Sequence, residues 1–276
     1  MDAHTHLDML DVPVEEAMAA ARTAGITRVV TVGCDVPSSQ WAVDCAASRP
    51  DVYAAVAIHP NNALTPTPHP QPQPHPQRVN GTIEPARTPP EHVVGTIEHL
   101  ASHPKVVAIG ETGLDYYWDD APPEVQQRFF REHIAIAKRT GKALMIHDRD
   151  AHADVLRILA EEGPPEHVIF HCFSGDAEMA KVCAEHGYVM SFAGTVTFKN
   201  AASLREAALV APPELILAET DAPYLTPMPN RGKRNSPAQT AYTIRFLAGL
   251  KGLGLGEFCD LLTANAARVF GWPSPE

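Results

Sequence analysis

Two histidines, His4 and His6, stand two residues apart near the start of the chain. The segment from Met1 to Leu7 predicts a strand, and residues two apart in a strand point to the same side. Both imidazoles can therefore reach a single metal ion. Taken alone the pair is a weak signal, because this spacing is common.

Further along the chain, metal-ligating residue types follow other apolar segments directly before a loop. They are Glu111, His147, His171 and Asp221. In a barrel of parallel strands, all carboxyl ends open onto one face, where active sites lie. The sequence therefore predicts that four histidines and two carboxylates converge from distant parts of the chain.

Six such ligands exceed the needs of one tetrahedral zinc ion. They suit two divalent cations about 3.5–4 Å apart, with one carboxylate bridging them. No lysine ends a middle strand, so Glu111 is the expected bridge. Zinc and manganese fit this mixed donor set, and magnesium would bind more weakly but is abundant.

The elements that must position these residues follow a regular order. Eight short apolar runs predict buried strands, near Met1–Leu7, Arg28–Gly33, Val52–Ile58, Val106–Gly110, Ala143–Ile146, Val168–Phe170, Tyr188–Phe192 and Leu215–Ala218. Nearly continuous apolar runs are typical of parallel strands that are covered on both faces. Amphipathic segments predict helices at Val14–Ala24, Pro123–Thr140, Asp176–His186 and Leu255–Phe270. This alternation predicts a (β/α)8 TIM barrel, with a doubly wound open sheet as the alternative.

Length and composition agree with one barrel domain over residues 1–276. The net charge of −11 excludes a protein that coats nucleic acid through bulk positive charge. Five scattered cysteines are typical of reduced thiols. No apolar run approaches the roughly 20 residues that span a bilayer, and the first residues do not resemble a signal sequence. We therefore expect a cytoplasmic protein with no membrane partner.

One segment, residues 65–90, interrupts the alternation with closely spaced prolines, glutamines and histidines. Proline cannot donate to a sheet ladder and breaks helices. The segment is therefore predicted to be an exposed, extended or poorly ordered insertion after the third strand.

The chain also resembles the TatD family of metal-dependent deoxyribonucleases over nearly its whole length. The resemblance is carried, in order, by HTHLD at His4–Asp8, AIHP at Ala57–Pro60, GETGLDYYW at Gly110–Trp118, MIHDRDA at Met145–Ala151, HCFSG at His171–Gly175, ETDAPYLTP at Glu219–Pro227, RGKRN at Arg231–Asn235 and NAARVF at Asn265–Phe270. It implies an amidohydrolase-type TIM barrel that hydrolyses DNA phosphodiesters, typically from the 3′ end. The insertion departs from the family pattern, as does Ser236, which stands where a glutamate is expected.

The resemblance also implies a role for each ligand. One metal would be held by His4, His6 and Asp221, the other by His147 and His171, with Glu111 as the bridge. Asp221 and Glu111 would be the catalytic residues, Asp221 by moving the proton of the attacking water. The implied partner is DNA, as single strands or 3′ ends, and no obligate protein partner is indicated.

The roles of several other polar and aromatic residues stay open. His59, at the end of the third strand, is a candidate contact for a substrate phosphate. The cations Arg231, Lys233 and Arg234 are either a phosphate-binding loop or an ordinary solvated charge run. Aromatic residues at 116–118 either stack on bases or pack their loop. Asp115 and Asp148 either orient ligand imidazoles or cap helices.

Two other functions remain open at this stage. The same metal site could serve a hydrolase of amide, lactone or ester bonds, since one barrel type hosts many chemistries. The chain could also be a non-catalytic protein that holds metal within an assembly. The basic loop favours a phosphate substrate, and the open set of six ligands favours an enzyme.

Overall fold

A computed structural model describes residues 1–64 and 90–272 of the chain. In these ranges it contains eight strands: β1 Asp2–Thr5, β2 Val29–Val32, β3 Val52–Val56, β4 Val106–Asp115, β5 Ala143–Arg149, β6 Val168–Phe170, β7 Val189–Phe192 and β8 Ile216–Ala218. The same ranges contain nine α-helices: α1 Val14–Thr23, α2 Val36–Ala47, α3 Pro90–Ala101, α4 Pro123–Thr140, α5 His152–Glu162, α6 Ala177–Glu185, α7 Ala202–Val210, α8 Thr240–Lys251 and α9 Leu255–Phe270. None of these described helices has both the length and the apolar character that crossing a membrane requires.

The strands form one parallel sheet in sequence order, from β1 to β8. The sheet closes where Thr5 forms a parallel bridge with Ala222, just after β8. The backbone N–H of Asp221 donates to the carbonyl of His4 at 3.0 Å, and that of His6 donates to Ala222 at 2.8 Å. One helix follows each of the first seven strands, and α8 and α9 follow β8. The predicted (β/α)8 barrel is confirmed, and the open sheet is excluded.

Helix boundaries follow the expected end signals. Helix α4 covers the predicted range Pro123–Thr140, with proline at its first position and Gly141 beyond its end at φ 64°. This left-handed backbone suits glycine and satisfies terminal carbonyls. Strand β4 differs from the prediction, which ended at Gly110, because it continues through Asp115 alongside β5. The added residues include Glu111, and an apolar-run criterion cannot detect a strand that contains polar residues.

Two buried clusters alternate along the strands. One cluster lies between the outer faces of the strands and the helices. It includes Val29 and Ile109 from the strands and Phe130 from α4. The other includes Val30, Met145 and Leu217, whose strand neighbours belong to the first cluster. Because side chains alternate across a strand, the second cluster fills the inside of the barrel. The six predicted ligand residues lie above this filled interior, at the carboxyl ends of the strands.

The end of the chain covers the opposite end of the barrel. Asn265 on α9 donates to the carbonyl of Ile216, the first residue of β8, at 2.8 Å. Trp272 is 6% exposed and its ring lies 4.7 Å from that of Tyr53, near the start of β3. The indole of Trp272 is therefore packed against the start of the barrel strands.

The predicted insertion, residues 65–90, falls almost wholly outside the described residues. Its last residue, Pro90, is the first residue of α3. The described chain therefore becomes helical at the last residue of the predicted insertion. The behaviour of the rest of the segment stays a prediction.

Candidate metal centre

All six predicted ligands meet at the carboxyl end of the barrel. His4 and His6 come from the end of β1, and Glu111 and His147 lie in β4 and β5. His171 directly follows β6, and Asp221 lies just after β8. Glu111 is central, because its carboxylate lies within 3.6 Å of a nitrogen of each of the four histidines.

Four ligand atoms form a first compact group around one oxygen of Glu111. They are Nε2 of His4, Nε2 of His6, Oε1 of Glu111 and Oδ1 of Asp221. Five of the distances among them lie between 3.2 and 3.6 Å. A tetrahedral zinc with ligands at about 2.0–2.1 Å needs neighbouring ligand atoms about 3.3–3.4 Å apart. The spacing therefore fits a cation held between these four atoms.

The second oxygen of Glu111 belongs to a more open group. Its Oε2 lies 3.0 Å from Nε2 of His171 and 3.3 Å from Nδ1 of His147. Three protein ligands with space for a further one are typical of catalytic rather than structural metal sites. The two carboxylate oxygens thus face different histidine pairs, as a bridging ligand must.

The other ring nitrogen of each ligand histidine has a partner of its own. Nδ1 of His6 is 3.1 Å from the carbonyl oxygen of Val32, and Nδ1 of His4 is 3.2 Å from Sδ of Met145. Ligating histidines usually donate their remote N–H to an acceptor, which fixes the tautomer and the ring orientation. In the neutral form of the rings, which metal binding requires, these partners leave Nε2 of both as the free nitrogen directed toward the first group.

The second pair of histidines is held by carboxylates. Nδ1 of His171 is 3.0 Å from Oε1 of Glu219, and Nε2 of His147 is 2.9 Å from Oδ2 of Asp115. Burial alone would lower the pKa of each imidazole, but Glu219 raises that of His171 well above its usual value and Asp115 raises that of His147. A carboxylate partner makes an imidazole a stronger metal ligand.

Glu111 reaches the centre because two glycines let β4 approach β5 closely. A Cβ at Gly110 would collide with Met145, and one at Gly113 would collide with the carbonyl oxygen of His147. Gly113 also has φ +137°, a conformation that side chains other than glycine rarely adopt. Burial opposes ionisation of Glu111, but the charge of His171 and a hydrogen bond from His147 lower its pKa well below the usual value. Glu111 is therefore an anion, as a metal bridge requires.

Asp221 has a left-handed backbone, with φ 53°. Such a conformation costs a non-glycine residue about 1 kcal/mol and is found most often where function requires it. It places the carboxylate 3.5 Å from Nε2 of both His4 and His6. Burial would raise the pKa of Asp221, but these imidazoles lower it below its ordinary value. The carboxylate is therefore ionised and can accept a proton.

His59 lies in the cluster but has the opposite hydrogen-bond pattern. Its Nδ1 accepts the backbone N–H of Asn61 at 3.1 Å, which leaves the proton on Nε2 of the neutral ring. Nε2 is 3.7 Å from Oε2 of Glu111. Burial, followed by the charge of His147, lowers the pKa of His59 to about 3. In this tautomer His59 presents an N–H, and not a lone pair, toward Glu111.

A buried histidine outside the centre, His133 on α4, holds the end of β3. Its Nε2 accepts the backbone N–H of Ile58 at 3.1 Å, and its Nδ1–H donates to the carbonyl of Phe129 at 2.6 Å. Burial lowers the pKa of His133 to about 4. His133 therefore stays neutral and fixes the backbone directly before His59.

The low pKa of His133 predicts acid sensitivity. Between pH 6.5 and about pH 4 the unfolded chain binds a proton that the folded chain does not, so stability falls as the pH decreases. From pH 7 to pH 5 we expect His133 to account for a loss of about 2 kcal/mol in the free energy of unfolding. Urea unfolding of wild type and His133→Gln at both pH values measures this. An equal pH-dependent loss in the two proteins would contradict the assignment.

The predicted basic loop is anchored beside β8. Asn235 donates to the carbonyl oxygen of Thr220 at 3.0 Å, and Thr226 donates to that of Lys233 at 2.7 Å. Ser236, in place of the expected glutamate, donates its backbone N–H to Asn235. The loop is therefore ordered by Asn235 and Thr226 without a carboxylate at position 236.

The three cations of this loop lie at the rim and not in the centre. Within the described ranges, their contacts run to Phe198, Asn230 and Asp11 rather than to the ligand cluster. Arg231 lies 4.3 Å above the Phe198 ring, Lys233 is 3.4 Å from the side-chain oxygen of Asn230, and Arg234 pairs with Asp11. A role in substrate binding stays a prediction for them.

The open interpretations of Asp115 and Asp148 resolve differently. Asp115 both holds His147 and accepts the backbone N–H groups of Tyr117 and Trp118, at 3.0 and 3.2 Å. Asp148 instead contacts Nδ1 of His152 at 2.7 Å, so it orients no ligand. Asp115 therefore supports the centre, and Asp148 belongs to the start of α5.

Two residues at the centre were not among the predicted site residues. Glu219 holds His171, and Sγ of Cys34 lies 3.5 Å from Oε1 of Glu111. Burial raises the pKa of Cys34 to about 12, so it is a thiol here. Both residues lie at strand ends, as the predicted ligands do, because Cys34 follows β2 and Glu219 follows β8. Either could have been found by considering the polar residues after every strand.

Comparison with known proteins identifies relatives that match nearly the whole chain. Residues 1–271 match the model of the TatD-related DNase family. A metal-dependent hydrolase of undefined activity from Mycobacterium tuberculosis, TatD, is 44% identical, with 98% of this chain and 97% of that protein covered. YabD of Bacillus subtilis is 39% identical, with 98% of each chain covered. The solved structure of YjjV, a TatD homologue from Escherichia coli, superposes with a TM-score of 0.85 at 25% identity, over 99% of this chain and 98% of that one.

Proposed function

We propose that this chain, which belongs to the TatD family of metal-dependent hydrolases, hydrolyses DNA phosphodiester bonds with a pair of divalent cations. The preferred substrate is a single strand, shortened from its 3′ end. The cations are zinc, manganese or magnesium, held by the six ligands at the carboxyl end of the barrel.

One observation carries this proposal. The two oxygens of Glu111 face two separate pairs of histidine nitrogens, and each histidine has its remote nitrogen beside a partner. A buried cluster of four imidazoles around one carboxylate is costly unless cations satisfy its lone pairs. Two cations about 3.5–4 Å apart are typical of enzymes that act on phosphate esters.

The ligands divide into two sets. His4, His6 and Asp221 would hold one cation, His147 and His171 the other, with Glu111 shared between them. When bound, such cations supply Lewis acidity, which makes water acidic enough to react near neutral pH and offsets charge on the phosphoryl group.

Asp221 acts on the proton in this proposal. Its ionised carboxylate accepts a proton from the water that attacks phosphorus, and later returns it to the leaving 3′ oxygen of the preceding nucleotide. The P–O bond to that oxygen breaks as the bond to the water oxygen forms. No covalent enzyme intermediate is needed.

Residues around the centre would bind the substrate. Nε2–H of His59 points into the ligand cluster and can donate to a non-bridging phosphate oxygen. Arg231, Lys233 and Arg234 lie on the loop after β8, where positive charge favours a polyanion that approaches an otherwise acidic protein. These contacts favour phosphodiesters over neutral substrates.

The proposal is tested with metal-free protein that is reloaded separately with Mg²⁺, Mn²⁺ or Zn²⁺. The substrates are 5′-labelled single- and double-stranded oligonucleotides. We expect a ladder of products shortened from the 3′ end, faster on single strands, and no cleavage in the presence of a chelator. Cleavage that begins at the 5′ end or internally would contradict the proposed direction.

The alternatives give different results in the same assay series. Hydrolysis of nitrophenyl esters or lactones without cleavage of DNA would identify the protein as a hydrolase of neutral substrates. Tight metal binding with no hydrolysis of any of these substrates would identify a non-catalytic metal-holding protein.

A further inference from the structure

An exposed aromatic and cationic cluster lies beside the metal centre, where β4 and β5 end. Its members are Tyr117, Trp118 and Arg149. The guanidinium carbon of Arg149 lies 3.8 Å from the centre of the Tyr117 ring, and the Trp118 ring meets that ring edge-on at 4.8 Å. Tyr117 is 54% exposed and Trp118 is 38% exposed. We call Tyr117 and Arg149 the stacking pair.

The neighbouring Tyr116 shows what a loop-packing role looks like. Its hydroxyl donates to Asp154 and accepts from Gln127, both at 2.8 Å. Tyr117 instead presents its ring to solvent and to Arg149. Two neighbouring exposed rings beside a cation form the kind of platform on which nucleic-acid bases stack.

The stacking pair is joined to the metal centre through one carboxylate. Asp115 accepts the backbone N–H of Tyr117 with Oδ1 and contacts Nε2 of His147 with Oδ2. On the other strand, Arg149 lies two residues after His147, and its carbonyl oxygen accepts the backbone N–H of Tyr116. The position of the pair is therefore fixed by the same contacts that orient a metal ligand.

We infer that the stacking pair binds an unpaired nucleobase near the 3′ end of the DNA, together with its phosphate. This inference rests on the proposed function and names the subsite that selects single strands. Every base has a flat face that can stack on an aromatic ring, whatever the sequence. Arg149, already stacked on Tyr117, presents its N–H edge to a phosphate oxygen. A base within a duplex cannot occupy this position without unpairing.

The test measures kcat and KM of the full-length, metal-loaded protein on a 5′-labelled single strand. We expect Tyr117→Ala to raise KM about tenfold, the usual effect of losing one stacked base. Tyr117→Phe should restore wild-type values, because it keeps the ring. Arg149→Met should raise KM and weaken its dependence on salt, because one phosphate contact is lost. Arg139→Met is the matched control, because Arg139 lies in the last turn of α4 and pairs with Glu98.

An abasic nucleotide at one of the last three positions separates stacking from a structural effect. At the stacked position it should raise the KM of wild type about as much as Tyr117→Ala does, and the two losses should not add. Additive losses at all three positions, or KM values of both variants within twofold of wild type, would overturn the subsite. A wild-type protein that hydrolyses esters or lactones but not DNA would overturn the proposed function itself, before any variant is compared.

Discussion

Glu111→Ala is expected to remove both cations from the protein and to lower hydrolysis by about 10⁴-fold or more. Each oxygen of Glu111 faces a different pair of histidines, so this one side chain contributes to both sites. The Lewis acidity of bound cations is worth several kcal/mol, and about 5.5 kcal/mol corresponds to that factor in rate. Elemental analysis of the purified variant, paired with nuclease rates, measures both effects.

A control variant and a thermal unfolding measurement test whether the loss of metal is specific to Glu111. Glu185→Ala removes an exposed glutamate at the end of α6 and should keep full metal content and activity. Added metal should raise the unfolding temperature of wild type, since a ligand of the folded state stabilises it, and should not do so for Glu111→Ala. If Glu111→Ala retained two cations per chain, the bridging assignment would be wrong.

The repeating units of the fold could be predicted because each is specified locally. Helix α4 has proline at its start and Gly141 after its end, so both boundaries were visible in the sequence. The full extent of strand β4 was not visible, because Glu111 and Asp115 interrupt its apolar pattern. Its second half, from Thr112 to Asp115, is held in the sheet by pairing with β5. Such pairing depends on register between distant segments, which local composition does not specify.

The same distinction applies to the site. A strand-end position was enough to predict that the six ligands converge, because parallel strands bring their carboxyl ends together. The partners that orient the imidazoles come from other parts of the chain. Glu219 is 48 residues from His171, and Met145 is 141 residues from His4. These contacts follow from the closed barrel, and no spacing in the sequence indicates them.

The tautomer of His59 is an example of chemistry that only the structure could reveal. By residue type it is equivalent to the four ligand histidines, and it also ends a strand. The difference is the backbone N–H of Asn61, which occupies Nδ1 and leaves the proton on Nε2. This single local hydrogen bond makes His59 a donor to substrate in the proposal rather than a ligand.

The two carboxylates of the centre should behave differently when they are changed. Among the described residues, Asp221 lies close to His4 and His6, whereas Glu111 lies close to all four predicted ligand histidines. Asparagine at position 221 keeps the size of the side chain and one oxygen ligand, and it cannot take up a proton as a carboxylate does. Loss of the base is therefore separable from loss of the metal.

We accordingly expect Asp221→Asn to retain close to two cations per chain and to lose about 10²–10⁴-fold in kcat, the usual contribution of a positioned acid–base group. Asp260→Asn, an exposed change on α9, is the matched control and should behave as wild type. Metal content is measured by elemental analysis and kcat on the labelled single strand. If Asp221→Asn held full metal and kept a near-normal rate, another group would have to accept the proton. His59 could not replace it, since its unprotonated Nδ1 is bonded to Asn61.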